Sequence, residues 1–365
     1  MSWTEQRLGD VLTLKRGYDL TAAQRQDGDV PVVSSSGITG SHNIAMVKAP
    51  GVVTGRYGTM GEVFYLETDF WPHNTALYVQ DFKGNDPRFI SYFLKANLRG
   101  AGGSDKAAVP GVNRNELHER KVRTPDLETQ KRIVELLLPL DDLIENNRRR
   151  IKLLEDSARL LSREWFVHLR FPGHEHVKVV DGLPEGWERT SLGAVAENHD
   201  RLRVPLSVLE REKRRGIYPY YGAACLLDYV DGYLFDGRYL LLGEDGTVID
   251  KQGAPMLQLV EGKFWVNNHA HVLSGSKASV EFLYCLLSEY KIQGHITGVA
   301  QPKITQANMN RIPVHLPSDA ISAEFQSVIQ ASFDQRFALD CFNNKLRQAR
   351  DLLLPRLMSG ELQVS

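Results

Sequence analysis

The chain is short of most features that announce a chemistry. It has three cysteines in 365 residues, Cys225, Cys285 and Cys341, too far apart for a CxxC metal site. That usage fits free thiols in a reducing compartment and argues against a disulfide framework. There is no excess of either charge: the formal net charge is −1, so any basic footprint for nucleic acid must be local. No apolar run approaches membrane length, and Met1-Ser2-Trp3-Thr4-Glu5 lacks the basic-then-apolar pattern of a secretory signal. A soluble, cytoplasmic protein without a membrane partner is expected. Catalytic cradles are missing too: no Gly-x4-Gly-Lys-Ser/Thr loop for ATP, no His-Glu-x-x-His, no Gly-x-Ser-x-Gly. Asp86-Pro87-Arg88-Phe89 is the nearest approach to an amino-methyltransferase motif and lacks its second proline. No cofactor and no metal are expected.

Long helical periodicity is present instead. From Ile133, the positions Leu137, Leu140, Ile144, Asn147, Ile151, Leu154, Ala158, Leu161 and Trp165 follow at alternating steps of four and three. That heptad seam, apolar except at Asn147, predicts a long helix laid against another. Pro125 precedes it, Asp126 is placed to cap it, and Pro139 should kink its first third. Some forty residues span roughly 60 Å, more than the core of a small domain requires. A partner with the same spacing runs through Phe325, Val328, Leu339, Phe342, Leu346, Ala349 and Leu353, interrupted by Ser332 and Gln335. Pro355 and Gly360 are expected to stop it. The carboxylates of Asp141-Asp142 fall beside the first seam and need no chemistry.

The chain also repeats itself. Trp3 is followed five residues later by Leu8-Gly9-Asp10-Val11, and Trp187 by Leu192-Gly193-Ala194-Val195. Pro31-Val32-Val33-Ser34 returns as Pro219-Tyr220-Tyr221-Gly222, and Gly55-Arg56-Tyr57-Gly58-Thr59 as Gly243-Glu244-Asp245-Gly246-Thr247. Phe70-Trp71-Pro72-His73-Asn74-Thr75-Ala76 returns as Phe264-Trp265-Val266-Asn267-Asn268-His269-Ala270. Ala108-Val109-Pro110 matches Ala300-Gln301-Pro302, and Pro125 or Pro317 then opens a long helix. Five matches in one order, at an offset drifting between 184 and 194, are those of a duplicated domain with loop insertions. Each copy reads as short strands and turns with a helix near 86–98 or 280–290. The segment from Phe171-Pro172-Gly173 to Pro184-Glu185-Gly186 reads as a linker.

In order and duplication, these motifs resemble the DNA specificity subunit of type I restriction-modification systems. The stretches Glu128-Thr129-Gln130-Lys131-Arg132-Ile133-Val134, Arg163-Glu164-Trp165-Phe166 and Leu357-Met358-Ser359-Gly360-Glu361-Leu362 carry the same likeness. The resemblance covers nearly the whole chain and implies an α+β (mixed α/β) fold with pseudo-twofold layout. Two target-recognition domains, at 1–125 and 171–317, would be held apart by long antiparallel, coiled-coil-like helices, at 126–170 and in the segment 318–365. It further implies a non-catalytic subunit whose domains each read half of a bipartite site in double-stranded DNA. Its helices would dock two modification (methyltransferase) subunits for adenine methylation, and the complex would recruit restriction subunits. A coiled-coil adaptor that binds protein and no DNA, and a nuclease with dispersed acidic and lysine ligands, are the alternative readings.

Candidate DNA-binding residues follow from the repeat. The Gly-x-x-Gly-Thr turn lets backbone approach DNA closely, and its two middle residues should project. Arg56 can meet guanine N7 and O6, Tyr57 offers an aromatic face, and Glu244 or Asp245 can accept from cytosine N4. Thr59 and Thr247 close the turns. Asn74 and Asn268 can bind adenine in a bidentate manner, beside His73 and His269 or Asn267. Ser35 and Tyr221, at the ends of matched strands, and Lys106 and Lys303, in polar loops, complete the set. For each, the plain alternative is an exposed polar turn or a solvated lysine. The run Arg211-Glu212-Lys213-Arg214-Arg215 reads equally as a backbone clamp or a solvated helix face, and Arg148-Arg149-Arg150 can face DNA or an acidic partner. His174-Glu175-His176 reads as surface loop.

Overall fold

A computed structural model describes residues 3–56, 62–98, 113–298 and 301–364. The protein is mixed α/β and divides into two compact units, Met1–Asn146 with Phe342–Ser365, and Asn147–Cys341.

In the first unit, β1 (Trp3–Arg7) pairs antiparallel with β9 (Lys121–Pro125). A four-stranded sheet follows the order β2 (Thr13–Arg16), β8 (Ala76–Asp81), β5 (Gly51–Gly55), β6 (Val63–Leu66). A smaller sheet sets β3 (Val30–Ser34) between β4 (Gly37–His42) and, in parallel, β7 (Trp71–Pro72). Helix α1 (Pro87–Leu98) buries Phe89, Ile90, Phe93 and Leu94 against Leu14, Val52, Leu77 and Val79 of the larger sheet. All five residues of β5 are buried, because its opposite face covers a second cluster, Val33, Val53, Phe70, Ala76 and Tyr78. That explains why its sequence does not alternate.

The second unit repeats the plan. Here β10 (Glu188–Ser191) pairs with β17 (Pro313–Leu316). A six-stranded sheet contains β11 (Ala196–Asn198), β12 (Arg215–Tyr221), β13 (Leu226–Val230), β14 (Phe235–Gly243), β15 (Leu257–Val266) and β16 (Ala270–Gly275). Helix α3 (Val280–Leu287) buries Phe282 and Leu283 in its core. The duplication holds in strand register, not only in sequence. Gly55 faces Ala76 as Gly243 faces Ala270. Val32 and Val33 run parallel to Trp71 and Pro72 as Tyr220 and Tyr221 run parallel to Trp265 and Val266. The Leu8 amide donates to the Arg120 carbonyl as the Leu192 amide does to that of Ile312, both at 2.8 Å.

The long helices are α2 (Leu127–Ser162), 36 residues continued by a π turn over Arg163–Val167, and α4 (Asp319–Ser359), 41 residues. The Asp126 carboxylate caps α2, accepting from the Thr129 amide at 2.9 Å. Pro139 lies within the continuous helix. Every position of the predicted α2 seam is buried or half-buried. In the first unit its residues meet α4 with ascending numbers against descending ones. Arg350 Nη1 donates to Asp141 Oδ1 at 2.7 Å, and Asn343 Nδ2 to the Ile144 carbonyl at 3.4 Å. In the second unit Arg336 Nε donates to Glu155 Oε1 at 2.9 Å.

Two expectations for α4 need correction. Its buried side is Phe325, Ile329, Phe333, Leu339, Asn343, Leu346, Leu354 and Leu357, while Val328, Phe342 and Ala349 face outward. The seam is displaced because the first turns pack on a domain core, with Phe325 4.7 Å from the Phe166 ring and Phe333 against Tyr284, rather than on one helix. Nor does Pro355 stop the helix. Leu354, Leu357 and Met358 are held in the first unit's core across the missing hydrogen bond, and the chain ends the helix at Gly360, in the left-handed region at φ 77°.

Candidate nucleic-acid interface

Arg56 and Glu244 stand directly after β5 and β14, and in each unit a polar corner surrounds them. In the first, the Arg56 amide donates to the Thr75 carbonyl at 3.2 Å. The His73 amide donates to the Val33 carbonyl at 2.8 Å, and its Nδ1 lies 3.1 Å from Thr75 Oγ1. That hydroxyl also accepts from the Ser35 amide at 3.4 Å. Gly17 lets the loop after β2 lie on this strand, since a Cβ there would come within 2.2 Å of the His73 carbonyl. The loop delivers Asp19, whose carboxylate accepts from Asn74 Nδ2 and from Arg16 Nη2, the latter at 3.2 Å. Arg16 Nε in turn donates to the Asn74 carbonyl at 3.4 Å. Ser35, Arg56, His73 and Asn74 are thus brought together. Tyr57, Thr59 and Lys106 lie outside the described residues.

The corresponding corner of the second unit has the same backbone and a different interior. The Glu244 amide donates to the His269 carbonyl at 2.8 Å, and the Asn267 amide to the Tyr221 carbonyl at 3.0 Å. Glu244 was expected to project toward a base; its carboxylate instead points inward. Arg203 Nη1 donates to its Oε2 at 2.7 Å, and Lys303 Nζ stands 3.1 Å from Oε1. Arg203 also meets Asp200 at 3.4 Å and donates to the carbonyls of Asn268 and Ala270 at 3.4 and 2.7 Å. Asp200 Oδ2 faces Nδ1 of the buried His271 at 2.6 Å, and His271 Nε2 reaches the Ile304 carbonyl at 2.8 Å. Burial alone would raise both carboxyls. The hydrogen bond from Arg203, with His271 and Lys303, brings Glu244 below its ordinary value, and that from His271 does the same for Asp200.

What remains at the rim of this corner is a pair. His269 Nδ1 lies 2.5 Å from Asp245 Oδ1, and Nε2 is the ring's other hydrogen-bonding atom. Asn268 and Thr247 are exposed beside it. Tyr221 is turned inward, edge-on to Phe264, and burial with the nearby Asp340 carboxylate pushes its hydroxyl up to about 12. Lys303 bridges to Asp245 through the backbone while its ammonium serves Glu244. Asp200, Glu244 and His271 place one ligand atom each within 4.8 Å of one another. Two cations, Arg203 and Lys303, already stand on those carboxylate oxygens, so a divalent ion would be repelled there.

Exposure separates the two corners. The side chains of Arg16 and Asp19 are 52% and 73% accessible, those of Arg203 and Asp200 12% and 10%. Arg16, Asp19, Asp200, Arg203 and His271 were not among the residues read as candidates. An alignment of the copies at the offset of 184 would have flagged the first four, since Arg16 and Asp19 fall on Asp200 and Arg203. In the dense basic run, Arg211 stacks on Tyr220 and pairs with Asp228, and Arg214 stacks on Trp265 and pairs with Asp231. Those two hold the domain together, and Lys213 and Arg215 are exposed.

Two copies of one frame, with different side chains after the same strand, define a duplicated module. The family model for the type I restriction modification DNA specificity domain matches residues 1–156 and 184–348. The chain belongs to that family. A Haemophilus influenzae protein named as a type I restriction enzyme specificity subunit is 32% identical over 155 residues, 42% of this chain and 39% of that one. The type I restriction enzyme MjaIX specificity subunit of Methanocaldococcus jannaschii is 27% identical over 287 residues, 72% of this chain and 65% of that one. The chain therefore spans less than two thirds of the length of these two relatives. In fold it is similar to the crystal structure of a type I restriction-modification system S subunit from M. genitalium, with a TM-score of 0.57, 17% identity, and coverage of 98% of this chain and 96% of that one. Among the described residues, no helix is long and apolar enough to cross a membrane.

Proposed function

We propose that this chain is the non-catalytic, DNA-reading subunit of a type I restriction-modification complex. Each of its repeated domains, at 1–125 and 171–317, reads half of a bipartite site in double-stranded DNA. One observation carries the reading. Turns in identical strand register hold Arg56 in one copy and Glu244-Asp245 in the other, as two different half-sites require of one scaffold. The segments 126–170 and 318–365 act as antiparallel spacers of coiled-coil type, and their outward faces dock two modification subunits. Restriction subunits join that assembly. Methyl transfer and cleavage reside in those partners; the sequence carries no Gly-x4-Gly-Lys-Ser/Thr loop and no His-Glu-x-x-His motif.

Adenine methylation mapped in DNA from cells carrying the whole system tests this directly. One bipartite sequence with a fixed gap is expected. Binding of the assembled complex to all DNA alike, or methyl transfer or cleavage by the purified chain alone, would overturn it.

A further inference from the structure

Laid on one another by strand register and by the 184-residue offset of the repeat, the two corners differ at four positions at once. Arg16, Asp19, Arg56 and Leu77 of the first stand where Asp200, Arg203, Glu244 and His271 stand in the second. Both corners hold an arginine–aspartate pair three residues apart, in opposite order. In the first, Arg16 donates to the Asn74 carbonyl; in the second, Arg203 donates to the carbonyl of the corresponding Asn268. The pair is turned end for end over the same asparagine. The residue that opens each turn then bears the charge opposite to the second member of the pair: Arg56 with Asp19, Glu244 with Arg203. Where the second member is Arg203, the carboxylate of the turn is drawn inward and His271 fills the space that Leu77 fills in the other copy.

We propose that these four positions form an exchangeable polarity module in each domain. The order of the arginine–aspartate pair decides which charge the turn residue carries. It thereby decides whether the turn offers a cation to DNA or folds a carboxylate inward and leaves base reading to Asp245 and His269 at its rim. Asp200, Arg203 and His271 are positioning residues: they hold the turn and the backbone at Ile304 without touching DNA. His269, oriented through Nδ1 by Asp245, presents Nε2 as a single hydrogen-bonding group to a base edge. This rests on the DNA-reading function proposed above.

The test uses the full chain in its assembled complex and duplexes in which each half-site is varied separately. Glu244→Arg alone sets a third cation beside Arg203 and Lys303. It should lower the melting temperature and cut discrimination in the second half-site at least tenfold, leaving the first half-site unchanged. The fourfold exchange Asp200→Arg, Arg203→Asp, Glu244→Arg, His271→Leu, made together with Lys303→Gln because Lys303 otherwise loses its carboxylate partner, should restore the melting temperature and give the second half-site a changed base preference. A purely structural cluster would regain stability and keep the old preference. Glu244→Gln, which keeps the shape, should reduce second half-site discrimination about threefold. A fourfold variant as unstable as Glu244→Arg, or one stable with the original preference, would overturn the module. A Glu244→Gln loss equal on all sequences would overturn it too. If the unmodified complex shows no base preference in either half, the DNA-reading function itself fails. If it shows both preferences and the exchange alone behaves otherwise, only the module does.

Discussion

Two corners of this protein share a backbone and an arginine–aspartate pair, and differ in the order and exposure of that pair. The first is open: Arg16 and Asp19 are exposed and meet each other and the half-buried Asn74. The second is closed, with Arg203 meeting two carboxylates and two carbonyls while its side chain is mostly shielded from water. The difference teaches that one strand register accommodates opposite placements of charge. An exposed ion pair is worth little and is free to change allegiance. A buried one is costly to break and fixes the geometry around it. Under the DNA-reading function proposed above, the open corner adapts to DNA and the closed corner presents a rigid rim.

The largest effect that separates them comes from truncating the arginine of the closed pair. Arg203→Ala leaves Asp200 and Glu244 buried without their main counter-charge, and should destabilise the second unit by about 3–5 kcal/mol. Urea unfolding, with hydrogen exchange followed along β15 and β5, locates the loss. Equal loss of protection in both strands would break the comparison.

A middling effect is expected on recognition. Arg56→Ala should weaken or relax the first half-site by about 1–3 kcal/mol, and His269→Ala the second by a similar amount. Titrating each variant complex against singly mutated half-sites reads both. Uniform weakening across all sequences would make either residue a phosphate contact.

Acid should act on one corner first. The Asp200 and Glu244 carboxyls are held below their ordinary values of 3.8 and 4.5, so their contribution is complete above those values and is lost as pH falls through the lowered ones. Hydrogen exchange between pH 5 and about 3 should expose the amide of Glu244 before that of Arg56. The opposite order would contradict the assigned pairing. The smallest effect belongs to the open corner: Asp19→Ala should change stability by no more than about 1 kcal/mol, measured in the same urea experiment.

Much of this was legible in the sequence, because repeats and heptads are carried by residues close in the chain or matched in order. The capping by Asp126, the α2 seam and the correspondence of the Gly55 and Gly243 turns all follow from such patterns. The direction of Glu244 does not. It depends on Arg203, 41 residues earlier, and on Lys303, beyond two strands and a helix. Periodicity likewise misplaced the α4 seam, since heptad spacing assumes a single helix as partner and Phe325 and Phe333 pack on a domain core. Strand register makes Arg56 and Glu244 corresponding positions; which side chain faces out is a tertiary property.

If, as proposed, two reading domains are set apart by the long helices, helix length sets the gap between the half-sites. Four residues inserted after Arg150 lengthen α2 by about 6 Å, against a rise of 3.4 Å per base pair. Adenine methylation mapped in cells carrying the altered chain with its partners should keep the bases of both half-sites and widen the gap by about one or two base pairs. An unchanged gap with both half-sites still recognised would contradict the account.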